Sequence, residues 1–183
     1  MIYSVSTLIN LFGGPGIGKS GIAAGITYKM KKKHISVNNP YEFPKRLAWD
    51  KNIPAISDQL YVFANQHRGI AECYDKVDYI VIDSPILFST IYHAEMYGKV
   101  FHDMVIDLHR RYSSVNILLE RTEGSHNEKE RYQNLKESIG IDTLCKNVLE
   151  EVGSKYHTIK VNEDSVKNIM KIVKKHGNGF KGI

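Results

Sequence analysis

A chain of 183 residues, 42% of them hydrophobic, suits one compact domain with a sizeable buried core. Its net charge of +5 is compatible with a nucleotide or nucleic-acid partner but is too modest to require one. No apolar run approaches ~20 residues, which excludes a membrane-spanning helix, and Met1 to Asn10 lacks the basic start of a secretion signal.

Val5–Phe12 reads as a buried strand, with Leu8, Ile9, Leu11 and Phe12 at its end. A glycine-rich turn follows, and Ser20–Lys33 then carries Ile22, Ala23, Ile26 and Met30 at helical spacing. Ile35–Asn38 reads as a short strand. Asn39–Pro54, with Pro40, Pro44 and Pro54, is expected to be broken by turns. Ser57–Tyr74 predicts a helix with Ser57 as its N-cap. Asp78–Asp83 predicts an apolar strand ending on a carboxylate, Ile91–Tyr112 a largely helical stretch, and Val115–Glu120 another strand. Arg121–Gln133 is polar and charged, as expected of a lid. Asn134–Val152 returns to helix, His157–Val161 to strand and Glu163–His176 to helix, before a frayed tail at Gly177–Ile183. Cys73 and Cys145 both fall in helical segments without metal-ligand spacing and read as reduced thiols in or near the core. The eight histidines show no metal spacing either.

Strands alternating with helices imply a parallel sheet covered on both faces. The expected architecture is an α/β three-layer sandwich on a five-stranded parallel sheet, with residues 1–176 as one domain and 177–183 as a flexible tail.

Between the first strand and the first helix, Gly13-Gly14-Pro15-Gly16-Ile17-Gly18-Lys19-Ser20 fits G-x-x-x-x-G-K-[ST] at every fixed position. Glycines let the backbone turn its N–H groups inward at phosphate oxygens, and the following helix adds its unpaired amides and dipole. Lys19 is expected to reach the β- and γ-phosphates and the Ser20 hydroxyl to bind Mg²⁺. Gly21, in the first helical turn, completes the expected cofactor-binding stretch for ATP. Asp83 ends a strand, where ligands of parallel sheets gather. It would hold Mg²⁺ through water or take a proton from an attacking hydroxyl; the competing role is a helix N-cap. Arg121 and Arg131 bracket the expected lid and suit transition-state charge on a transferring phosphoryl group. Lys19, Asp83, Arg121 and Arg131 are thus the candidate catalytic set. Glu42, Lys45 and Trp49, with Gln59, Gln66 and Arg68 on the helix beyond, form a candidate acceptor site in which aromatics stack on a base and polar groups read its edge. Ordinary core and surface roles are the alternative for each.

Leu8 to Ser20, Ala23-Ala24-Gly25, Ser57-Asp58-Gln59-Leu60-Tyr61, Val77 to Pro85 and Glu130-Arg131-Tyr132-Gln133 together resemble a family of small bacteriophage P-loop kinase-like proteins. The resemblance runs from about Leu8 to about Val161. It implies a nucleotide-kinase-like fold, an arginine-bearing lid and ATP-dependent phosphoryl transfer. Acceptors in such a family include deoxynucleotides, polynucleotide ends and the hydroxymethyl group of 5-hydroxymethylpyrimidines in DNA, of which 5-hydroxymethyluracil is the sharpest expectation here. It further implies the cytoplasm, that of the host for a phage-encoded chain. Gly21 stands where such proteins usually carry Thr, Tyr41 to Arg46 departs from the more usual Glu-Tyr-Ala-Lys-Asp, and Glu130 replaces a common glycine. The alternative acceptor is a free deoxynucleoside monophosphate. The alternative class is an acceptor-independent ATPase or nucleotide-gated binding module. Nothing in the sequence fixes an oligomeric state.

Overall fold

Strand β1 (Thr7–Phe12) turns Leu8 and Phe12 to one face of a sheet and Ile9 and Leu11 to the other, as a period of two requires, and all four are buried. A strand covered on both sides has no solvent face, which is why its sequence reads as a nearly unbroken apolar run. The computed structural model describes residues 5–92, 97–122 and 135–176. Around β1 lie β2 (Val37–Asn38), β3 (Tyr79–Ile82), β4 (Ser114–Glu120) and β5 (Tyr156–Lys160), in the order β2-β3-β1-β4-β5 with every pairing parallel. The polar interruption in β1 is satisfied sideways. Asn10 Nδ2 donates to Asn116 Oδ1 on β4 at 2.9 Å, and Asn116 Nδ2 donates to the Lys155 carbonyl before β5 at 3.2 Å.

Helices α1 (Lys19–Lys32) and α8 (Ser165–His176) cover one face through Ile22, Ile26, Met30, Ile169 and Val173. They meet closely at Gly25, where a Cβ would stand 2.9 Å from a Val166 methyl. On the opposite face α4 (Gln59–Cys73), α6 (Gly98–Arg111) and α7 (Leu135–Glu151) contribute Phe63, Ile70, Phe101, Val105, Val148 and Leu149. The three-layer α/β sandwich is therefore as expected. Cys73 and Cys145 are both free and buried, and burial pushes the Cys145 thiol up to about 11. Among the described residues, no helix is long and apolar enough to cross a membrane.

Several boundaries differ from the sequence expectation. The stretch after β2 folds into two short helices, α2 (Phe43–Trp49) and α3 (Ile53–Ser57). Pro44 and Pro54 fall in their first turns, where a missing N–H costs nothing. Ser57 closes α3, and the cap of α4 is Asp58, whose carboxylate accepts the Tyr61 N–H at 3.0 Å. The largely helical stretch expected over Ile91–Tyr112 holds α6, from Gly98, and the last residue of α5 (Phe88–Ile91), while 93–96 lie outside the described residues. The greater part of the expected lid, with Arg131, and the tail 177–183 lie outside the described residues.

His109 on α6 is 4% exposed and within 3.0 Å of the Ser154 hydroxyl, and burial, with the neighbouring Arg110 charge, pushes its pKa down to about 4. The unfolded chain, with His near 6.5, therefore binds a proton that the folded chain refuses between these values. Stability should fall by roughly 3 kcal/mol as pH drops from 6.5 to 4 and be flat for this group above that window. Urea titrations across pH should show this component disappear in His109→Gln; an unchanged pH slope in the variant would contradict it.

Candidate active site

The helix that follows β1 begins on a glycine because its first residue is left-handed. Gly18, the N-cap of α1, has φ of 97°, and neither a side-chain cap nor an acidic residue occupies the first turn. The amides and dipole of this end are thus available to an anion. Ile17 is 1% exposed and sits in the core, so its side chain anchors the loop. Gly21 has open space where a Cβ would stand, so its packing gives no reason for glycine.

Lys19 is buried, and its ammonium donates to the Gly13 carbonyl at 2.6 Å and the Gly14 carbonyl at 2.9 Å. The Phe88 ring lies 5.6 Å from it. Carbonyls hold this ammonium over the loop, where phosphate oxygens would compete for the same protons. The Ser20 hydroxyl donates to Glu42 Oε2 at 3.4 Å, which brings the N-cap residue of α2 onto the start of α1.

Asp83 follows β3 directly, one residue beyond Ile82, whose partner on β1 is Asn10. It is 6% exposed and next to the strand that feeds the glycine loop. The N-cap role does not apply: α5 starts at Phe88, with Leu87 in the cap position and no side-chain cap. Gln66 reaches this corner from α4. Its Nε2 donates to the Ser84 carbonyl at 3.0 Å and hydroxyl at 2.7 Å, and its buried Oε1 has no partner among the described residues.

Serine hydroxyl and carboxylate oxygens at Ser20, Glu42 and Asp83 suit a hard cation such as Mg²⁺, which commonly takes one or two carboxylates together with substrate phosphates. Among the described residues, no group of three or more His, Cys, Asp or Glu could hold a metal by itself.

The remaining acceptor candidates divide. Lys45 and Trp49 lie together on α2, the ammonium 5.0 Å from an exposed ring. Gln59 is buried and spends its amide on the Ile56 carbonyl at 2.8 Å. Arg68 stands on the exposed face of α4, paired with Glu72 at 2.8 Å. The structure therefore brings Glu42 and Gln66 to the loop and strand ends, and commits Gln59 and Arg68 elsewhere.

Arg121 occupies a different place from the mobile loop expected of it. Its Nη2 donates to the Pro15 carbonyl at 2.7 Å, and its Nε donates to Asp142 Oδ2 at 2.5 Å. The other Asp142 oxygen accepts the Gly14 N–H at 2.5 Å. One partly buried ion pair thus grips a carbonyl and an amide of the glycine loop, tying it to the end of β4 and to α7. Sequence reasoning missed Asp142, because a single acid within a helix carries no local signal. Gly14 has a steric reason too: a Cβ there would stand 2.3 Å from the Ser138 carbonyl of α7.

A family model described as AAA domain matches residues 8–167. The chain belongs to this AAA domain family. No curated protein sequence matches it. Among solved structures, the NadR protein in complex with NR is similar with a TM-score of 0.65 at 10% identity, over 94% of this chain and 52% of that one. This chain thus spans about half the length of that protein. Deoxyadenosine kinase from M. mycoides with bound dCTP is similar with a TM-score of 0.60 at 12% identity, over 92% of this chain and 100% of that one. The same kinase with bound dATP gives 0.53 at 16% identity over the same shares, 92% and 100%. This AAA domain protein therefore has the fold of P-loop kinases.

Two substitutions probe the clamp on the loop. Any rise in melting temperature on adding ATP should be abolished in Gly14→Ala, since a backbone carbonyl blocks the new methyl group; an undiminished ATP shift would contradict the geometry. Asp142→Ala leaves the Arg121 guanidinium and the Gly14 amide without their shared partner, and should cost about 2 kcal/mol in denaturant titrations. Asp142→Asn keeps an acceptor for the amide and should cost less.

Proposed function

We propose that this protein is an ATP-dependent phosphotransferase acting on a hydroxyl of a nucleoside, nucleotide or nucleic-acid acceptor. The observation that carries the reading is the buried Asp83 carboxylate, which caps no helix and ends the strand beside the glycine loop. Lys19 and the first amides of α1 bind the β- and γ-phosphate oxygens of ATP. Ser20 and Glu42 would hold Mg²⁺, which when bound would neutralise charge on those phosphates; Asp83 would reach the ion through water or act instead as the base. Asp83 accepts the proton of the acceptor hydroxyl as its oxygen bonds to the γ-phosphorus, the bond to the bridging oxygen breaks, and ADP leaves. Gln66, fixed by Ser84, offers its unpartnered Oε1 as an acceptor for a donor group at this corner. Arg121 positions the loop, and Arg131 remains the candidate for transition-state charge.

The finest form of the reading takes the 5-hydroxymethyl group of 5-hydroxymethyluracil in phage DNA as the acceptor, on the strength of the sequence resemblance. A free nucleoside or deoxynucleoside monophosphate is favoured instead by the shared fold of a deoxyadenosine kinase whose whole length this chain covers. Labelled ATP incubated with nucleosides, monophosphates, plain DNA and hydroxymethylated DNA separates these acceptors by the product that carries label. On the acceptor so found, Lys19→Ala and Asp83→Asn should each lower turnover about 100-fold or more. Full transfer by Lys19→Ala would overturn the assignment.

A further inference from the structure

Between the second half of α1 and α8 lies a groove of about 620 Å³, apart from the candidate active site. Its rim is formed by Lys29, Lys32 and Lys33 of α1 and Lys167, Lys171 and Lys174 of α8. Its remaining lining is apolar, from Tyr28 and Met170. No carboxylate lines it, and among the described residues the ion pair these lysines make is that of Lys167 with Asp164 at 3.3 Å. Six lysines with no lining carboxylate make the groove itself strongly positive. Tyr28 lies nine residues beyond Lys19, about 13 Å along the helix axis.

Lysines three and four residues apart on the same helix repel one another, an arrangement that a bound polyanion relieves. Tyr28 narrows the choice of polyanion. It is 64% exposed among the cations, where a ring offers a stacking face to a nucleobase and nothing comparable to a run of carboxylates. A lipid surface suits the groove poorly, because Ile169 and Val173 of α8 are buried against the sheet and leave no apolar face to insert. We infer that this groove binds single-stranded nucleic acid, with the lysines tracking phosphates and Tyr28 stacking on a base. The inference is independent of which acceptor the active site takes.

The test is fluorescence anisotropy with labelled oligothymidylate, set beside polyglutamate and phosphatidylserine vesicles. Binding should weaken steeply with salt. Lys29→Ala with Lys171→Ala should weaken it at least tenfold and reduce the log–log salt slope by about 0.7 for each lysine removed. Tyr28→Ala should cost roughly tenfold and Tyr28→Phe little, while ATP affinity stays unchanged in all of these. The inference is overturned if oligothymidylate affinity ignores these substitutions. It is equally overturned if polyglutamate or vesicles bind as tightly, with the same lysine dependence and no effect of Tyr28→Ala.

Discussion

A phosphate-binding loop works only if its main chain is fixed before the anion arrives, and here that is achieved by one carboxylate. Asp142 accepts the Gly14 N–H and holds Arg121, which in turn donates to the Pro15 carbonyl. Sheet, loop and α7 are thereby joined at a single point. The absence of a side chain at Gly14 is what permits it, since the Ser138 carbonyl already fills that space. With the loop so held, the Lys19 ammonium sits on its carbonyls next to the uncapped start of α1, where the proposed function places the triphosphate.

Sheet order then brings in the chemistry. Because β3 pairs directly with β1, the residue after β3 stands beside the loop, and that residue is Asp83. Because β4 pairs with β1 on its other side, the residue after β4 stands beside the loop too, and that residue is Arg121. One neighbour supplies a carboxylate, which under the proposed function meets the incoming hydroxyl, and the other a brace. The same topology leaves the second half of α1 and α8 side by side, where their lysines form a surface separate from the phosphate site.

Much of this was legible in the sequence where the signal is local. The strands of the sheet announce themselves because both faces are covered, and the loop because glycine, lysine and serine have fixed offsets. The position of Asp83 after a strand was legible because an apolar run closing on an acid is also local. The stretch Asn39–Pro54 was only partly legible: prolines that look like interruptions start the short helices α2 and α3. Arg121 looked like a lid residue because its neighbours in sequence are polar, whereas its partners lie 21 and 106 positions away. Asp142 was invisible for the same reason. The basic charge was legible as a total, but only the packing of α1 on α8 shows that six lysines line one groove.

The central claim is that the γ-phosphoryl group passes to an organic hydroxyl instead of to water. The most direct measurement is the partition of label from γ-labelled ATP between acceptor and inorganic phosphate, with and without the nucleoside, nucleotide and DNA acceptors. The account predicts slow release of inorganic phosphate alone, and rapid labelling of one acceptor class that depends on Lys19 and Asp83. Hydrolysis that is fast without acceptor, and undiminished when every acceptor is present, would contradict it and mark the protein as an ATPase.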